Sequence, residues 1–361
     1  MAEMGDAAKL RLARSRNIGP VAYAQLMMRF GSAEAALDAI PDLARRGGGR
    51  APKLADMDAI EAEMANVARL GARYLFLGDS GYPAALAEIP TAPPALIIRG
   101  EAALLQKPII AMVGARNASA AARRFARDLA FRLGAEGYVV VSGLARGIDT
   151  AAHTGSLESG TIAVIAGGTD IFYPPENEEL QVAISERGLL IAEQPPGSEP
   201  KARHFPYRNR IIAGLGRGTV VVEAAPKSGS LITARQANEF GRDVMAVPGS
   251  PLDPRAQGCN QLIRDGAALI QSAEDVIASL DPFNIGGVRE PGADYSGEPV
   301  LPDASDSDRE TITELLGPVP VSVDEIVRQA GLSPAIVQTV LLELELAGRL
   351  ERHAGGKVSL T

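Results

Sequence analysis

Three short segments of the sequence combine glycine with hydroxyl and cationic side chains, each beside an apolar run. "VGARNAS" ends one run, "SGLARGID" ends another, and "APKSGS" follows "TVVVEA". Glycine lets backbone N–H groups approach a ligand, and a helix that begins after such a turn carries partial positive charge at its N-terminus. Hydroxyl groups with arginine or lysine would complete an anion site, although glycine turns are also ordinary connections. The residues expected to contact the anion are Gly114, Arg116, Ser119, Ser142, Gly143, Arg146, Gly147, Lys227, Ser228 and Ser230.

A fourth segment, "HFPYRNRIIAGLGRG", adds Arg208 and Arg210 next to two aromatic residues and contains no acidic residue. Guanidinium groups beside aromatic rings are typical of sites that hold unstacked bases and their phosphates. A protein that reads a duplex groove would instead need a basic helix. Two other interpretations stay open: Phe205 and Tyr207 are core residues, or the arginines pair with Glu223 or Asp149.

The class of phosphate is narrowed by motifs that the sequence lacks. There is no G-x-x-x-x-G-K-[ST] segment, and no G-x-G-x-x-G opens the first helix of the α/β region, so ATP, NAD and FAD sites are not expected. The ligands that remain are a nucleotide bound without either motif, a sugar phosphate and a nucleic-acid backbone. Asp149 and His153 share a predicted helix face, but no nucleophile is marked and Cys259 is expected to pack at a helix start. We expect no catalytic residue, no cofactor and, with three histidines and one cysteine, no metal site.

The protein is acidic overall but contains a strongly basic segment. The 361 residues carry a net charge of -8, yet the 17 residues from 201 to 217 include five basic residues and no acidic one. A positive field confined to one face can attract a phosphate ligand even when the total is negative. No apolar run approaches the ~20 residues that span a bilayer, and the N-terminus lacks the apolar core of a signal peptide. We therefore expect a cytoplasmic protein with no membrane association.

The elements that must position these residues follow from the apolar pattern. Residues 1–70 are predicted to be a small helical domain of helix-hairpin-helix type, with a turn at Asn17–Pro20. In residues 71–280, apolar runs alternate with helical stretches, which predicts an α/β fold: a Rossmann-like, doubly wound, mostly parallel sheet. Ligands of such sheets bind at the carboxyl ends of the strands, where the three turns lie.

The remaining residues are predicted to form a flexible linker over 281–307 and a winged-helix domain over 308–361. Three helices and a hairpin with Gly355-Gly356 at its turn make up this domain. Its recognition helix, "SPAIVQTVLLELELAG", has two glutamates and no lysine or arginine. Because neutralising phosphates requires cations, we do not expect this domain to hold DNA strongly, and we expect a protein contact or a regulatory role instead.

Taken together, the turns resemble a known family. "VGARNAS", "SGLARGIDTAAHTGSLESGTIAVIAGGTDIFYPPEN", "FPYRNRIIAGL", "VVVEAAPKSGSLITARQANEFGRDVMAVPGS" and "GCNQLIRDGA" are similar to the DprA (Smf) family of DNA-processing proteins over residues 70 to 275. The resemblance implies a homodimeric single-stranded DNA-binding protein of natural transformation. Such a protein protects incoming strands and loads the RecA recombinase, without catalysis or a cofactor. The family's DNA pocket falls here on Gly114, Arg116, Ser142, Gly143 and Lys227. One departure is that "AAARRFA" follows Ser119 where the family has a Tyr-Gly pair.

The competing hypothesis is a nucleotide-binding enzyme of the lysine-decarboxylase-like phosphoribohydrolase type. Those enzymes have a comparable sheet and a P-G-G-x-G-T-x-x-E signature. Here "GLGRGTVVVEA" places three residues, not two, between Thr219 and Glu223, and the leading Pro-Gly-Gly is absent. One extra residue redirects the glutamate side chain, so single-stranded DNA binding is the preferred interpretation.

Overall fold

The protein is described by a computed structural model that covers residues 2–280, 303–353 and 355–361. Its contacts divide the chain into two compact units. Among the described residues, 65–280 form the central unit, whereas 2–64 and the residues from 303 onward form the flanking unit. Both regions predicted as terminal domains thus belong to one unit, whose first stretch ends at residue 64. The domain bounds stay predictions. The predicted linker lies outside the described residues except for 303–307.

The central unit is built on a nine-stranded sheet. Its strands are β1 (Arg73–Phe76), β2 (Ala95–Gly100), β3 (Ile109–Gly114), β4 (Val139–Ser142), β5 (Thr161–Ile165), β6 (Leu189–Ala192), β7 (Gly218–Val222), β8 (Asp243–Ala246) and β9 (Ala268–Leu269). They lie in the order β1-β2-β6-β5-β4-β3-β7-β8-β9. The pairs β1–β2 and β2–β6 are antiparallel, and every other pair is parallel. The predicted fold class, a Rossmann-like and mostly parallel sheet, is confirmed.

Helices cover both faces of this sheet. They are α5 (Ala84–Ala87), α6 (Ala120–Ala135), α7 (Ile148–Ser156), α8 (Glu178–Arg187), α9 (His204–Leu215), α10 (Ser230–Glu239), α11 (Gln257–Arg264) and α12 (Ala273–Leu280). Successive side chains of a strand point to opposite faces, and β3 shows this alternation. Ile110 and Met112 pack with α6 and α7, whereas Ala111 and Val113 pack with α9 and α10. Fully burying a side chain such as Ile110 stabilises the fold by roughly 1.5–3 kcal/mol.

The position of β3 creates a cleft. The chain leaves β3 for α6 on one face, and it leaves the neighbouring strand β7 for α10 on the other face. The two connections therefore diverge at the carboxyl ends of β3 and β7. This is the switch point at which doubly wound sheets bind ligands.

The flanking unit is mainly helical. Its elements are α1 (Ala2–Arg14), α2 (Pro20–Phe30), α3 (Ala33–Arg46), the first part of α4 (Met57–Arg69), α13 (Asp306–Glu314), β10 (Val321–Ser322), α14 (Val323–Ala330), α15 (Pro334–Leu346), β11 (Leu350–His353) and β12 (Lys357–Leu360). α1 and α2 flank the predicted turn at Asn17–Pro20. Three helices and a sheet in the order β10-β12-β11 confirm the winged helix, and Gly355 and Gly356 take positive φ angles at the hairpin turn.

The predicted recognition helix, α15, is a packing element of this unit. It lies against α3, and the Gln338 side-chain oxygen accepts a hydrogen bond from the Gln25 amide of α2. Its Glu343 side chain is 0% exposed and accepts hydrogen bonds from Arg309. The acidic side chain of Glu343 is thus used inside this unit, and a contact of the domain with another protein stays a prediction.

No helix in the described part of the chain has the length and apolar character that crossing a membrane requires.

Candidate nucleic-acid interface

The switch point of the sheet holds a cleft of about 590 Å³, here called the central cleft. It brings together residues from all four segments that the sequence singled out. Its polar and charged lining includes Arg116, Asn117, Asp149, Arg208, Asn209, Lys227, Ser228, Ser230 and Arg255. Gly114 also lines it. With four cations and one carboxylate, the lining of the central cleft carries a net positive charge.

Arg116 occupies the turn after β3 and is exposed. Its guanidinium lies 5.2 Å from the centroid of the Phe205 ring, and no carboxylate of a described residue forms an ion pair with it. Phe205 in turn contacts Tyr173, with 5.7 Å between ring centroids. An arginine stacked on an aromatic ring keeps its N–H groups available for phosphate, and the ring offers a surface for a base.

Arg208 supplies a buried cation to the same cleft. The residue is 6% exposed, and its Nη1 donates a hydrogen bond to the Val164 carbonyl oxygen at 3.1 Å. Its Nε has no hydrogen-bond partner among the described residues. Burial lowers the pKa of Arg208 to about 10, and the negative charge of Asp149 opposes that shift. A group with this pKa stays protonated at neutral pH.

Gly143 is needed because Arg208 packs against it. A Cβ atom at this position would lie 1.5 Å from the Arg208 Nη1. The Gly143 and Ala145 amides both donate to the Asp149 carboxylate, at 3.2 and 3.3 Å. Burial raises the pKa of Asp149, while Arg208 and these amides act in the opposite direction. This turn therefore positions a buried Arg–Asp arrangement instead of presenting free amides to a ligand.

The turn after β3 is also closed by a carboxylate. Glu223 adopts φ 52° directly after β7, and its Oε2 and Oε1 accept hydrogen bonds from the Ser119 amide and hydroxyl at 2.8 and 2.7 Å. The Ser119 Oγ also accepts from the Ala122 amide and so caps α6. The expected backbone cradle is corrected here: carboxylates occupy the amides of two turns, so side-chain cations carry the positive charge. Glu223, which the phosphoribohydrolase hypothesis would use, is thus bonded to Ser119.

Two of the expected contact residues lie away from the ligand side of the cleft. Ser142 is fully buried and donates to the Met112 carbonyl oxygen at 2.6 Å. Arg210 is 4% exposed and its Nη2 donates to the Glu193 Oε1 at 2.6 Å. Arg210 thus has a structural partner, although this partner is neither Glu223 nor Asp149. We leave both residues out of the proposed interface.

The predicted turn after β7 reaches the central cleft. Lys227 is exposed, and the Ser228 and Ser230 hydroxyls lie 2.7 Å apart where α10 begins. Sequence reasoning missed Arg255, which lines the cleft while pairing with Asp253 at 2.8 Å. Arg255 follows Pro254 in a segment without a strand or a glycine turn, so no motif marks it.

Arg146 and Gly147 lie on the other side of Arg116, in a neighbouring cleft. Gly147 has φ 82°, and a Cβ there would lie 2.2 Å from the Ala115 carbonyl oxygen, so only glycine fits.

The histidine of the predicted Asp149–His153 pair has a different partner. The His153 Nδ1 lies 2.8 Å from the Thr161 hydroxyl, and burial, followed by the charge of Arg208, lowers the pKa of His153 to about 3. Within the described ranges, no cluster of three or more His, Cys, Asp or Glu side chains is arranged to hold a metal ion.

Three family models match the chain. The model described as DNA recombination-mediator protein A matches residues 73–281. A DprA-like N-terminal HHH domain matches residues 3–66, and a DprA winged helix domain matches residues 296–356.

Individual proteins are similar as well. The DNA processing protein DprA of Streptococcus pneumoniae is 48% identical over 205 residues, which are 56% of this chain and 72% of that protein. Protein Smf of Escherichia coli is 37% identical over 282 residues, covering 77% and 75% of the two chains.

Two solved structures share the fold. The Streptococcus pneumoniae DprA structure has a TM-score of 0.65 and 38% identity, and covers 76% of this chain and 96% of its own. The Helicobacter pylori DNA processing protein A, whose structure gives insights into a unique single-stranded DNA binding mode, has a TM-score of 0.53 and 28% identity. This match covers 57% of this chain and 95% of the Helicobacter chain.

Proposed function

The chain belongs to the DNA recombination-mediator protein A family, and from that premise we propose that it binds single-stranded DNA in the central cleft. The observation that carries this proposal is the group of three cations Arg116, Arg208 and Lys227 around one opening, next to the Phe205 ring. Arg116 and Lys227 contact phosphates, and Arg208 adds a fixed positive charge at the cleft wall. The remaining contacts are Gly114, Ser228 and Ser230.

The chemistry of the cleft favours a single strand. Exposed cations without carboxylate partners bind phosphates and release counterions, which makes affinity fall with salt. An unpaired base can stack on Phe205, whereas the bases of a duplex are already stacked and paired. Such contacts recognise any sequence, because every phosphate and every base has the required surface.

Family membership supports a wider role. We propose that the protein protects incoming single strands during natural transformation and loads the RecA recombinase onto them, acting as a cytoplasmic homodimer. No catalytic step is part of this role. Sedimentation analysis tests the dimer, and the rate of RecA filament formation on strands pre-bound by the protein tests the loading.

The proposal is tested with the variants Arg116→Ala and Lys227→Ala. Fluorescence anisotropy of labelled single-stranded and duplex oligonucleotides, measured across a salt series, gives affinity and salt slope. Each variant should weaken single-strand binding about tenfold for all sequences and reduce the slope by about 0.7. Wild-type protein should bind duplex much more weakly than single strand.

Arg217→Ala is the matched control, because Arg217 is exposed in the central unit but does not line the cleft. It should leave affinity and slope unchanged. Wild-type affinity and slope in both cleft variants would contradict the proposal.

A further inference from the structure

A second cleft begins next to the central cleft. It has a volume of about 620 Å³ and lies between α6 and the turn after β4; it is here called the α6 cleft. Arg116 and Asn117 line both clefts. The lining of the α6 cleft contains no acidic residue. It contains five arginines, which are Arg116, Arg123, Arg124, Arg127 and Arg146.

The helix α6 presents its arginines in register. Residues 120, 123, 124 and 127 have the i, i+3, i+4, i+7 spacing that places side chains on one helix face. Position 120 is alanine, which leaves room for the longer side chains of Arg123, Arg124 and Arg127. Arg123 and Arg127 are one helical turn apart, about 6 Å along the axis, similar to the distance between successive phosphates of an extended strand.

These guanidiniums have weak internal partners. Arg123 and Arg124 are exposed and form no ion pair within the described residues. Arg127 has only Asp128, with 3.8 Å between Nε and Oδ1, and Arg146 has only Glu176, at 3.5 Å. Exposed pairs of this kind contribute little, so the cleft keeps a strong positive field in a protein with net charge -8.

The lining also indicates which part of a nucleic acid fits. No aromatic side chain lines the α6 cleft, in contrast to the central cleft with Phe205. Cations without a stacking surface bind the backbone and not the bases.

From this geometry we propose that the α6 cleft is a second phosphate-binding surface, along which the strand held in the central cleft continues past Arg116. The inference rests on the proposed function of the central cleft. Arg123, Arg124 and Arg127 neutralise backbone phosphates of the strand, and Arg116 joins the two surfaces. The α6 cleft therefore adds affinity only for strands long enough to reach it.

The test is the triple variant Arg123→Ala, Arg124→Ala, Arg127→Ala. Alanine preserves the helix, since it has the highest helix propensity. Anisotropy is measured with two oligothymidines: the shortest that wild-type protein binds in an Arg116-dependent manner, and one of twice that length. The variant should bind the short strand like wild type, lose about tenfold or more in affinity for the long strand, and show a long-strand salt slope smaller by about two.

Two further variants keep the test specific. Arg132→Ala removes an exposed arginine of the same helix outside the α6 cleft and should bind both strands like wild type. The triple lysine variant retains the charges and should keep most of the long-strand affinity, even if the alanine variant folds poorly.

The outcomes separate this inference from the proposed function. If the alanine variant binds the long strand like wild type, or if it loses the short strand equally, the second surface is refuted while the central cleft stands. If it loses binding of thymidine monophosphate but not of the long strand, the cleft holds a free nucleotide and the inference is also refuted. If wild-type protein binds neither strand, the proposed function itself has failed.

Discussion

The arginines that line the clefts of the central unit differ from two arginines of the flanking unit in their carboxylate partners. In the central unit, Arg116, Arg123 and Arg124 are exposed and form no ion pair among the described residues. In the flanking unit, Arg309 and Arg352 bond Glu343 and Glu345 at 2.8 and 2.7 Å, and these carboxylates are nearly or fully buried. The difference shows that the carboxylate partner, and not the arginine itself, decides whether the cation is free for a ligand.

The same contrast explains the acidic winged helix. The two glutamates of α15 would repel DNA phosphates if the helix lay in a duplex groove. In the structure they are the partners of Arg309 and Arg352, while Val340 and Leu341 of the same helix are buried in the apolar core. α15 is therefore a structural helix of the flanking unit, and its composition fits that role.

The largest expected effect comes from breaking the buried pair of the flanking unit. Glu343→Ala leaves Arg309 without the carboxylate that it bonds through two nitrogens. Removing one partner of a buried pair costs roughly 3–5 kcal/mol, so we expect the free energy of unfolding of the flanking unit to fall by about that amount. Denaturant titration followed by circular dichroism measures the loss, and single-strand affinity should stay at the wild-type value.

Glu310→Ala is the control for this prediction, because Glu310 is an exposed acid next to Arg309. It should change stability by less than about 0.5 kcal/mol. A Glu343→Ala protein as stable as wild type, or one that loses DNA affinity while remaining folded, would break the comparison between the units.

Cleft-lining and structural arginines can also be compared within one helix, because Arg208 and Arg210 are two residues apart on α9. Arg210→Ala removes the cation that pairs with the Glu193 carboxylate, and both side chains are largely buried. Because Glu193 is 19% exposed and water can solvate it, we expect the free energy of unfolding of the central unit to fall by roughly 1.5–3 kcal/mol, the value of a hydrogen bond to a charged group, with little change in single-strand affinity. Arg116→Ala should show the reverse pattern, with lower affinity and unchanged stability. Equal effects of the two variants on both quantities would remove the distinction between structural and ligand-binding arginines.

Sequence alone could predict the parallel strands and the turns that carry Arg116 and Lys227, because apolar runs and glycine turns are local signals. It could not predict which arginines are structural, since their partners are distant in the chain. Arg309, for example, pairs with Glu343, which lies 34 positions further along the chain. The carboxylate of Glu223 likewise bonds Ser119, which lies 104 positions earlier. The topology of the sheet and the packing of α15 create these contacts, and no local pattern encodes either one. For the α6 cleft, the sequence shows only the arginines of "ARRFAR". They form a continuous positive surface with Arg146 because α6 lies beside the turn after β4.

The smallest effect expected near neutral pH concerns the buried His153 of the central unit. Its folded pKa of about 3 lies below the ordinary value of 6.5, so between these values the unfolded state binds a proton that the folded state does not. Stability must therefore fall as pH drops from 6.5 toward 3, by up to about 1.4 kcal/mol per pH unit. Burial raises the pKa of Asp149, so this residue changes the stability with pH in the opposite direction. Asp149 is present in wild type and in both variants, so its contribution cancels when they are compared.

The variant His153→Asn keeps a group that can bond the Thr161 hydroxyl but does not titrate. Its unfolding free energy, measured by denaturant titration at several pH values between 6.5 and 4.5, should fall less steeply with acid than that of wild type. His353→Asn serves as the matched control, because His353 lies in the flanking unit and bonds Ser359 at 2.8 Å. It should leave the acid sensitivity of the central unit unchanged. The prediction is wrong if the unfolding free energies of His153→Asn and wild type change equally with pH. In that case the folded protein protonates His153 without unfolding, and this histidine does not make the central unit sensitive to acid.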